Sequence, residues 1–288
     1  MLNSRCSSLS CQTEDFMRDE GTAWCSMLEL LLPIFGLLIG IIAALAGIGG
    51  GAFIVSLLVL VYAFVPQNAI GTSLTAIIFT AVAATLNFSR QRRIYYKTGL
   101  VLAVTTVPGA SLGAYLTTML PPRLLGIILG AMLIPIALYV MADAGHRQGT
   151  EGKTSPLSGK SDSELVRSRD TMLIGVSLCF LGGLGSGLLG IGGGVLIVPI
   201  MTLAMGMPIH IATATSMFTM IFTTMSGVTQ HYLASHISFE YALLLAFGTV
   251  IGAQVGAYTS KKVSSRNLRI FFGLMLIVVG IQVILKYI

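Results

Sequence analysis

Apolar runs broken by short polar intervals fill almost the whole chain. Ten can be marked, at 28–46, 52–65, 68–88, 99–119 and 123–142, then at 171–189, 195–207, 209–231, 240–259 and 267–287. Most hold the roughly 20 residues that an α-helix needs to cross a bilayer, so the pattern predicts an all-α, polytopic membrane protein. The runs 52–65 and 195–207 are shorter, and each follows an oligoglycine block: Gly47-Ile48-Gly49-Gly50-Gly51 and Gly190-Ile191-Gly192-Gly193-Gly194. Glycine accepts positive φ and weakens a helix by about 1 kcal/mol per residue relative to alanine. Each block should therefore break its helix and start the short run at mid-membrane depth. A bilayer tolerates broken backbone only where it lines a cavity or is covered by protein.

The first five runs repeat in the second five at an offset of 143 residues. Gly47 falls on Gly190, Thr72 and Ser73 on Thr215 and Ser216, Gly109 on Gly252, Gly113, Ala114 and Tyr115 on Gly256, Ala257 and Tyr258, Arg123 on Arg266, and Gly130 on Gly273. Pro66 and Pro208 alone slip by one residue. An internal duplication follows, with a polar tail at 1–27, one repeat at 28–142, a Ser- and Gly-rich flexible linker at 143–170 and a second repeat at 171–288.

Charge adds topology to this picture. Hydrophobic residues make up 55% and charged residues only 10% of the chain, and the mean hydropathy is +0.88, whereas a soluble domain carries about 25% charged residues. The charges stand at the ends of apolar runs or between them, so the net +6 reads as membrane topology and not as a nucleic-acid surface. Arg90, Arg92, Arg93 and Lys97 follow the third run, while the matching interval from His231 to Glu240 has no Lys or Arg. The next interval reverses the bias: Arg123 stands alone, but its counterpart carries Lys261, Lys262, Arg266 and Arg269. Cytoplasmic loops collect Lys and Arg, so the two repeats should be inverted, each with an odd number of crossings. If all five runs cross, the two basic loops and the linker lie inside with thirteen of the seventeen basic residues, both termini lie outside, and the first glycine block opens to the cytoplasm and the second to the exterior. The first run is too long for a cleavable signal, and Met27 just before it would serve as an alternative start.

The membrane runs contain no Asp, Glu, Lys or Arg at mid-depth, so a buried anion would need partners other than a salt bridge. Exposed N–H groups at helix starts supply them, which singles out Gly49, Gly50, Gly51, Gly192, Gly193 and Gly194. Matched or nearby hydroxyls, Thr72, Ser73 and Thr75 in one repeat and Thr215, Ser216 and Thr219 in the other, could shape the same site. Asn87, Gln230, His231 and Gln254 are candidates for a pathway or for coupling. Matched broken helices in two inverted halves point to a transporter's binding site, and an anion channel of the same fold is the alternative. No nucleophile and base pair, metal cluster or phosphate loop suggests catalysis, and no cofactor is expected. Cys6, Cys11 and Cys25 lie in the tail and Cys179 alone in a membrane run. The partners expected are a small anion, the lipid bilayer and protons, with a homodimer open as an assembly and no nucleic acid.

The glycine block, Pro66 or Pro208, Ala69 or Ala212 before the Thr-Ser pair, and the helix from Gly109 to Ala114 or from Gly252 to Ala257 together resemble the sulfite exporter TauE/SafE family over 28–287. The resemblance implies an inner-membrane permease for sulfur-containing anions such as sulfite, sulfoacetate or isethionate, or for another small organic anion. It also implies a histidine near the end of the third run followed by a basic loop. Here His231 has no basic loop after it, and the basic loop of the first repeat follows Asn87 and Phe88. A related class that takes up thiosulfate is expected to use membrane cysteines, of which Cys179 is the one present.

Overall fold

The computed structural model describes residues 31–121 and 169–260, with single positions inside 123–142 and 274–285. The tail, most of the linker and most of the runs 123–142 and 267–287 lie outside the described residues. Among the described residues the secondary structure is helical. The elements are α1 (Leu31–Ala46), α2 (Gly51–Leu60), α3 (Pro66–Arg90), α4 (Tyr96–Met119), α5 (Arg169–Leu189), α6 (Gly194–Pro199), α7 (Ile209–Leu233) and α8 (Phe239–Thr259). Helix α6 runs on into a π turn, Ile200–Ala204.

Proline starts both long third helices. Pro66 is the first residue of α3 and Pro208 the last before α7; its fixed φ suits that place, where its missing N–H costs nothing. The long helices α3, α4, α7 and α8, of 21 to 25 residues, are about 31–38 Å long, enough to cross a bilayer core of about 30 Å.

The glycine blocks do more than interrupt a helix. Gly47, Gly49 and Gly50 have φ of 73°, 78° and 78°, and Gly190, Gly192 and Gly193 have 69°, 78° and 82°. Three left-handed residues within four positions reverse the chain. A methyl group placed on Gly175 of α5 would lie 2.9 Å from Met205 Sδ, one on Gly182 3.5 Å from Leu196 Cβ, and one on Gly193 3.4 Å from the Ser186 side chain. Rising numbers in one arm thus face falling numbers in the other, as antiparallel helices require. In the first repeat Gly50 likewise stands against Ile39 and Ala43 of α1. The short runs after the blocks therefore fold back beside α1 and α5, so that each broken pair forms a helical hairpin among the described residues and not two of the five crossings that were conditional above.

The packing exchanges the two repeats. Helix α3 packs on α8 and α7, and α4 packs on α5 and α7. Gly109 abuts the backbone of Phe180 and Leu184, while Gly252 abuts that of Leu37 and Ile41; each pair becomes the other on adding or subtracting 143. Leu184 N would lie 3.0 Å from a Cβ on Gly109, and Ile41 N 2.9 Å from one on Gly252. Backbones this close leave no room for a side chain. Gly109→Leu and Gly252→Leu should each cost about 3 kcal/mol or more, read as a lowered unfolding midpoint in detergent.

Candidate functional site

The tips of the two hairpins meet. A Cβ on Gly51 would strike Gly190 O and lie 2.7 Å from Ile191 Cα, and one on Gly194 would lie 2.5 Å from Gly47 O and 3.0 Å from Ile48 C. This contact sits near the middle of the long helices: the flanking side chains are Ile77, twelfth residue of the 25 in α3, and Met220, twelfth of the 25 in α7. Both are fully buried.

Local backbone bonding explains why the tips offer donors. Gly47 N and Ile48 N donate to Ala43 O, closing α1, and Phe53 N and Ile54 N donate to Gly50 O, opening α2. The amides of Gly49, Gly50, Gly51 and Ala52 between them have no hydrogen-bond partner among the described residues. In the second tip Gly190 N donates to Ser186 O and Leu196 N and Ile197 N to Gly193 O, which leaves Gly192, Gly193, Gly194 and Val195 in the same state. The first amides of a helix carry partial positive charge, and here the two tips that bear such sets are in contact.

Ser73 and Ser216 hold the tips in register. Ser73 Oγ donates to Gly190 O at 2.9 Å and to Ile70 O at 2.9 Å, and Ser216 Oγ donates to Gly47 O at 3.0 Å and to Thr213 O at 2.8 Å. Each serine thus grips the tip of the other repeat. Thr72 Oγ1 accepts from Ser238 N and Thr215 Oγ1 from Tyr95 N, both at 3.1 Å, which ties down the starts of α8 and α4. Thr75 Oγ1 donates to Gly71 O, and Thr219 Oγ1 to Gly99 O and Thr215 O. The hydroxyl hydrogens of Ser73, Ser216, Thr75 and Thr219 are thus spent on carbonyls. Unpaired main-chain amides remain as the donors. Ser73→Ala and Ser216→Ala should each cost about 1–2 kcal/mol and by similar amounts, measured by chemical unfolding in micelles.

Residues 32–283, which include both hairpins, match the family described as "Sulfite exporter TauE/SafE". The chain belongs to the TauE/SafE family. It is similar to "Probable membrane transporter protein YunE" of Bacillus subtilis (strain 168), 32% identical over 264 residues covering 88% of this chain and 97% of that protein. It is also similar to "Probable membrane transporter protein MJ0441" of Methanocaldococcus jannaschii, 27% identical over 274 residues covering 89% and 96%. A third relative, "Probable membrane transporter protein YjnA" of Bacillus subtilis (strain 168), is 26% identical over 268 residues covering 89% and 100%. No solved structure matches. TauE/SafE proteins are membrane transporters, and this one is a multi-pass cell-membrane protein.

Three of the four polar residues singled out in the sequence as pathway candidates, Asn87, Gln230 and Gln254, stand away from the tips of this TauE/SafE protein. Asn87 Nδ2 donates to Gln254 Oε1 at 3.0 Å and Gln254 Nε2 to Ala83 O at 2.8 Å, clasping α3 to α8; Gln230 Nε2 donates to Ser111 Oγ at 3.0 Å, clasping α7 to α4. Asn87 and Gln230 each lie ten residues past Ile77 and Met220, about 15 Å along the helix. His231 follows Gln230 and is fully buried. Conversely, Ile77 and Met220 belong to the tip contact although they carry no polar signal: Gly49 and Gly192 both face Met220 Cε and Ile77 Cγ2. The repeat offset alone could have found them, since 77 and 220 differ by 143. Ser186, buried beside Gly193 with no partner for its Oγ, matches Ala43 and so gave no repeated signal.

Proposed function

We propose that this protein is a secondary transporter of small sulfur-containing anions, sulfite or organosulfonates such as sulfoacetate and isethionate, working by alternating access with export as its direction. The observation that carries this reading is the meeting of two glycine tips at mid-length of the long helices, with unpaired amides on both. A tetrahedral or pyramidal oxyanion presents several acceptor oxygens, which matches a cluster of N–H donors that carries no formal charge. Anion export needs no coupled ion in a cell with an inside-negative potential, because each charge leaving gains about 2.3 kcal/mol per 100 mV.

The repeats are inverted across the bilayer in this reading. Replacing two crossings by a hairpin changes the count by an even number, so the basic loops at 90–97 and 261–269 and the linker stay on one side, the cytoplasmic one. The first hairpin then enters from outside and the second from inside. Exchanged contacts such as Ser73 with Gly190 and Ser216 with Gly47 support that arrangement. Alternating access would move one hairpin and its partners relative to the other about the fixed tips.

A thermal-shift panel on the purified protein, with sulfite, sulfate, thiosulfate, sulfoacetate, isethionate, taurine and lactate, followed by counterflow of the best binder in proteoliposomes, tests this. Stabilisation by sulfite or a sulfonate with saturable counterflow is expected. A response to lactate alone would move the substrate to carboxylates, and large unitary currents would favour a channel.

A further inference from the structure

The most conspicuous unsatisfied polar group in the described helices lies beside the second hairpin, where residues 70–73 of α3 touch both it and Gly190. His231, at the end of α7, is fully buried, and neither ring nitrogen has a hydrogen-bond partner. The Gly187 backbone approaches the ring without hydrogen-bond geometry. His236, in the turn that follows, has its Nδ1 buried and unpartnered, and the two rings stand 6.2 Å apart between centroids. The turn is closed by His236 N donating to His231 O at 2.9 Å. Gly71 of α3 brings these residues to the start of that helix: a Cβ there would touch His236 O and lie 3.1 Å from His231 Cβ. One turn earlier on the same face of α3, Gln67 donates from Nε2 to Leu120 O at 3.0 Å and leaves its Oε1 buried without a partner.

We propose that His231, His236 and Gln67 form a proton-binding site, and that its proton is carried or sensed during anion movement. The count of donors and acceptors supports this. A neutral imidazole has one N–H and one lone pair, and a glutamine carbonyl oxygen has lone pairs only. The group therefore holds more acceptors than donors, so an added proton finds a free lone pair, while the rings, 6.2 Å apart between centroids, are too far apart to share it directly.

Comparison of the two repeats argues against a packing role. The positions that match His231 and His236 are Phe88, 1% exposed, and Arg93, whose Nη1 reaches Ser260 Oγ at 3.5 Å. The same scaffold accepts an apolar ring and a permanent cation at one end of the molecule and two imidazoles at the other. Among the described residues, α3, α4 and α5 present Gln67 and Gly71, Thr117 and Leu120, and Gly187 there, none of them titratable. Tyr232, Arg123 and Glu240, the nearest ionisable side chains along the chain, are exposed.

Proton binding is a property of the site itself, whereas coupling rests on the anion-transport reading, so two measurements separate them. The first is an NMR titration of the full chain in nanodiscs with labelled histidine, His146, His210, His231 and His236 being assigned by single replacement with glutamine. His231 should change protonation state during the titration, and His236→Gln should move its midpoint, as for coupled sites. A His231 that keeps one protonation state throughout, or that is indifferent to His236→Gln, overturns the proposal. The second is isethionate uptake into proteoliposomes, the sulfonate being fully ionised throughout. For one proton exchanged against each anion, the stoichiometry in which proton entry assists anion export, wild type should accumulate isethionate about tenfold per unit of outward proton gradient at zero membrane potential, and His231→Phe and His231→Gln should abolish that accumulation while keeping counterflow at equal pH. Gradient-driven accumulation undiminished in both variants overturns the coupling, and a wild type that moves no isethionate counts against the substrate while the titration still decides the site.

Discussion

Leucine at Gly51 or Gly194 is expected to weaken anion binding by at least about 100-fold, or about 2.7 kcal/mol, while membrane insertion and helix content stay near wild type. Both glycines lie inside helices with φ in the ordinary negative range, so a side chain adds no backbone strain. It does add volume where the tips touch. Besides striking Gly190 O, a Cβ on Gly51 would lie 2.6 Å from Ile77 Cδ1, and one on Gly194 2.7 Å from Met220 Sδ. Leucine must push the tips apart and separate the two sets of amides. Gly50→Leu and Gly193→Leu would instead press on their own hairpins, against Ile39 and Ala43 and against Ile197 and Ser186, and carry an added cost of about 1–2 kcal/mol, because φ there is 78° and 82°. The thermal-shift response to the best-binding anion, beside circular dichroism of the same sample, reads both quantities. Binding within twofold of wild type would show that the tips do not hold the solute.

Trimming the two apolar side chains at the tips should have the opposite kind of effect. Ile77 and Met220 are fully buried and stand against both Gly49 and Gly192, so they line the contact between the tips. Ile77→Ala with Met220→Ala removes two bulky side chains at the one level where the hairpins meet. Each change should cost about 2–5 kcal/mol of stability, as for buried large-to-small substitutions, and the widened contact should let anions leak. A rise of about tenfold or more in passive anion flux, an order of magnitude that corresponds to about 1.4 kcal/mol off the barrier, is expected in proteoliposomes without a substrate gradient on the far side. An unchanged flux in a folded double variant would place the barrier elsewhere.

Much of this architecture could be read before any coordinates. The helix breaks at the oligoglycine blocks, the prolines that open α3 and α7, and the pairing of Ser73 with Ser216 all follow from composition and from the repeat offset. That the chain turns back at each block was not legible, because continuing and reversing demand the same glycines; the difference lies in the sign of φ at Gly47, Gly49 and Gly50 and at their partners. The roles of the hydroxyls were only half legible. Spacing places Ser73 and Ser216 near the tips, but which carbonyl takes the hydrogen depends on the packing of the other repeat. Thr75 and Thr219 look like partners in the sequence, yet they are not at matching positions and bond differently. Ile77 and Met220 escaped because an apolar residue in an apolar helix carries no signal of its own. His236 and Gln67 escaped because burial of a loop histidine and of a helix-start amide depends on contacts between distant segments.

The central claim is that amides of the two hairpin tips hold the anion between the repeats. Selenite, which has the shape and charge of sulfite and a strong anomalous signal, permits a direct test by diffraction from crystals grown with saturating ligand. The account predicts a selenium peak between the tips, within hydrogen-bonding reach of the amides of Gly49, Gly50 and Gly51 or of Gly192, Gly193 and Gly194. A peak lodged instead among Arg90, Arg92, Arg93 and Lys97, with the space between the tips empty, would contradict it.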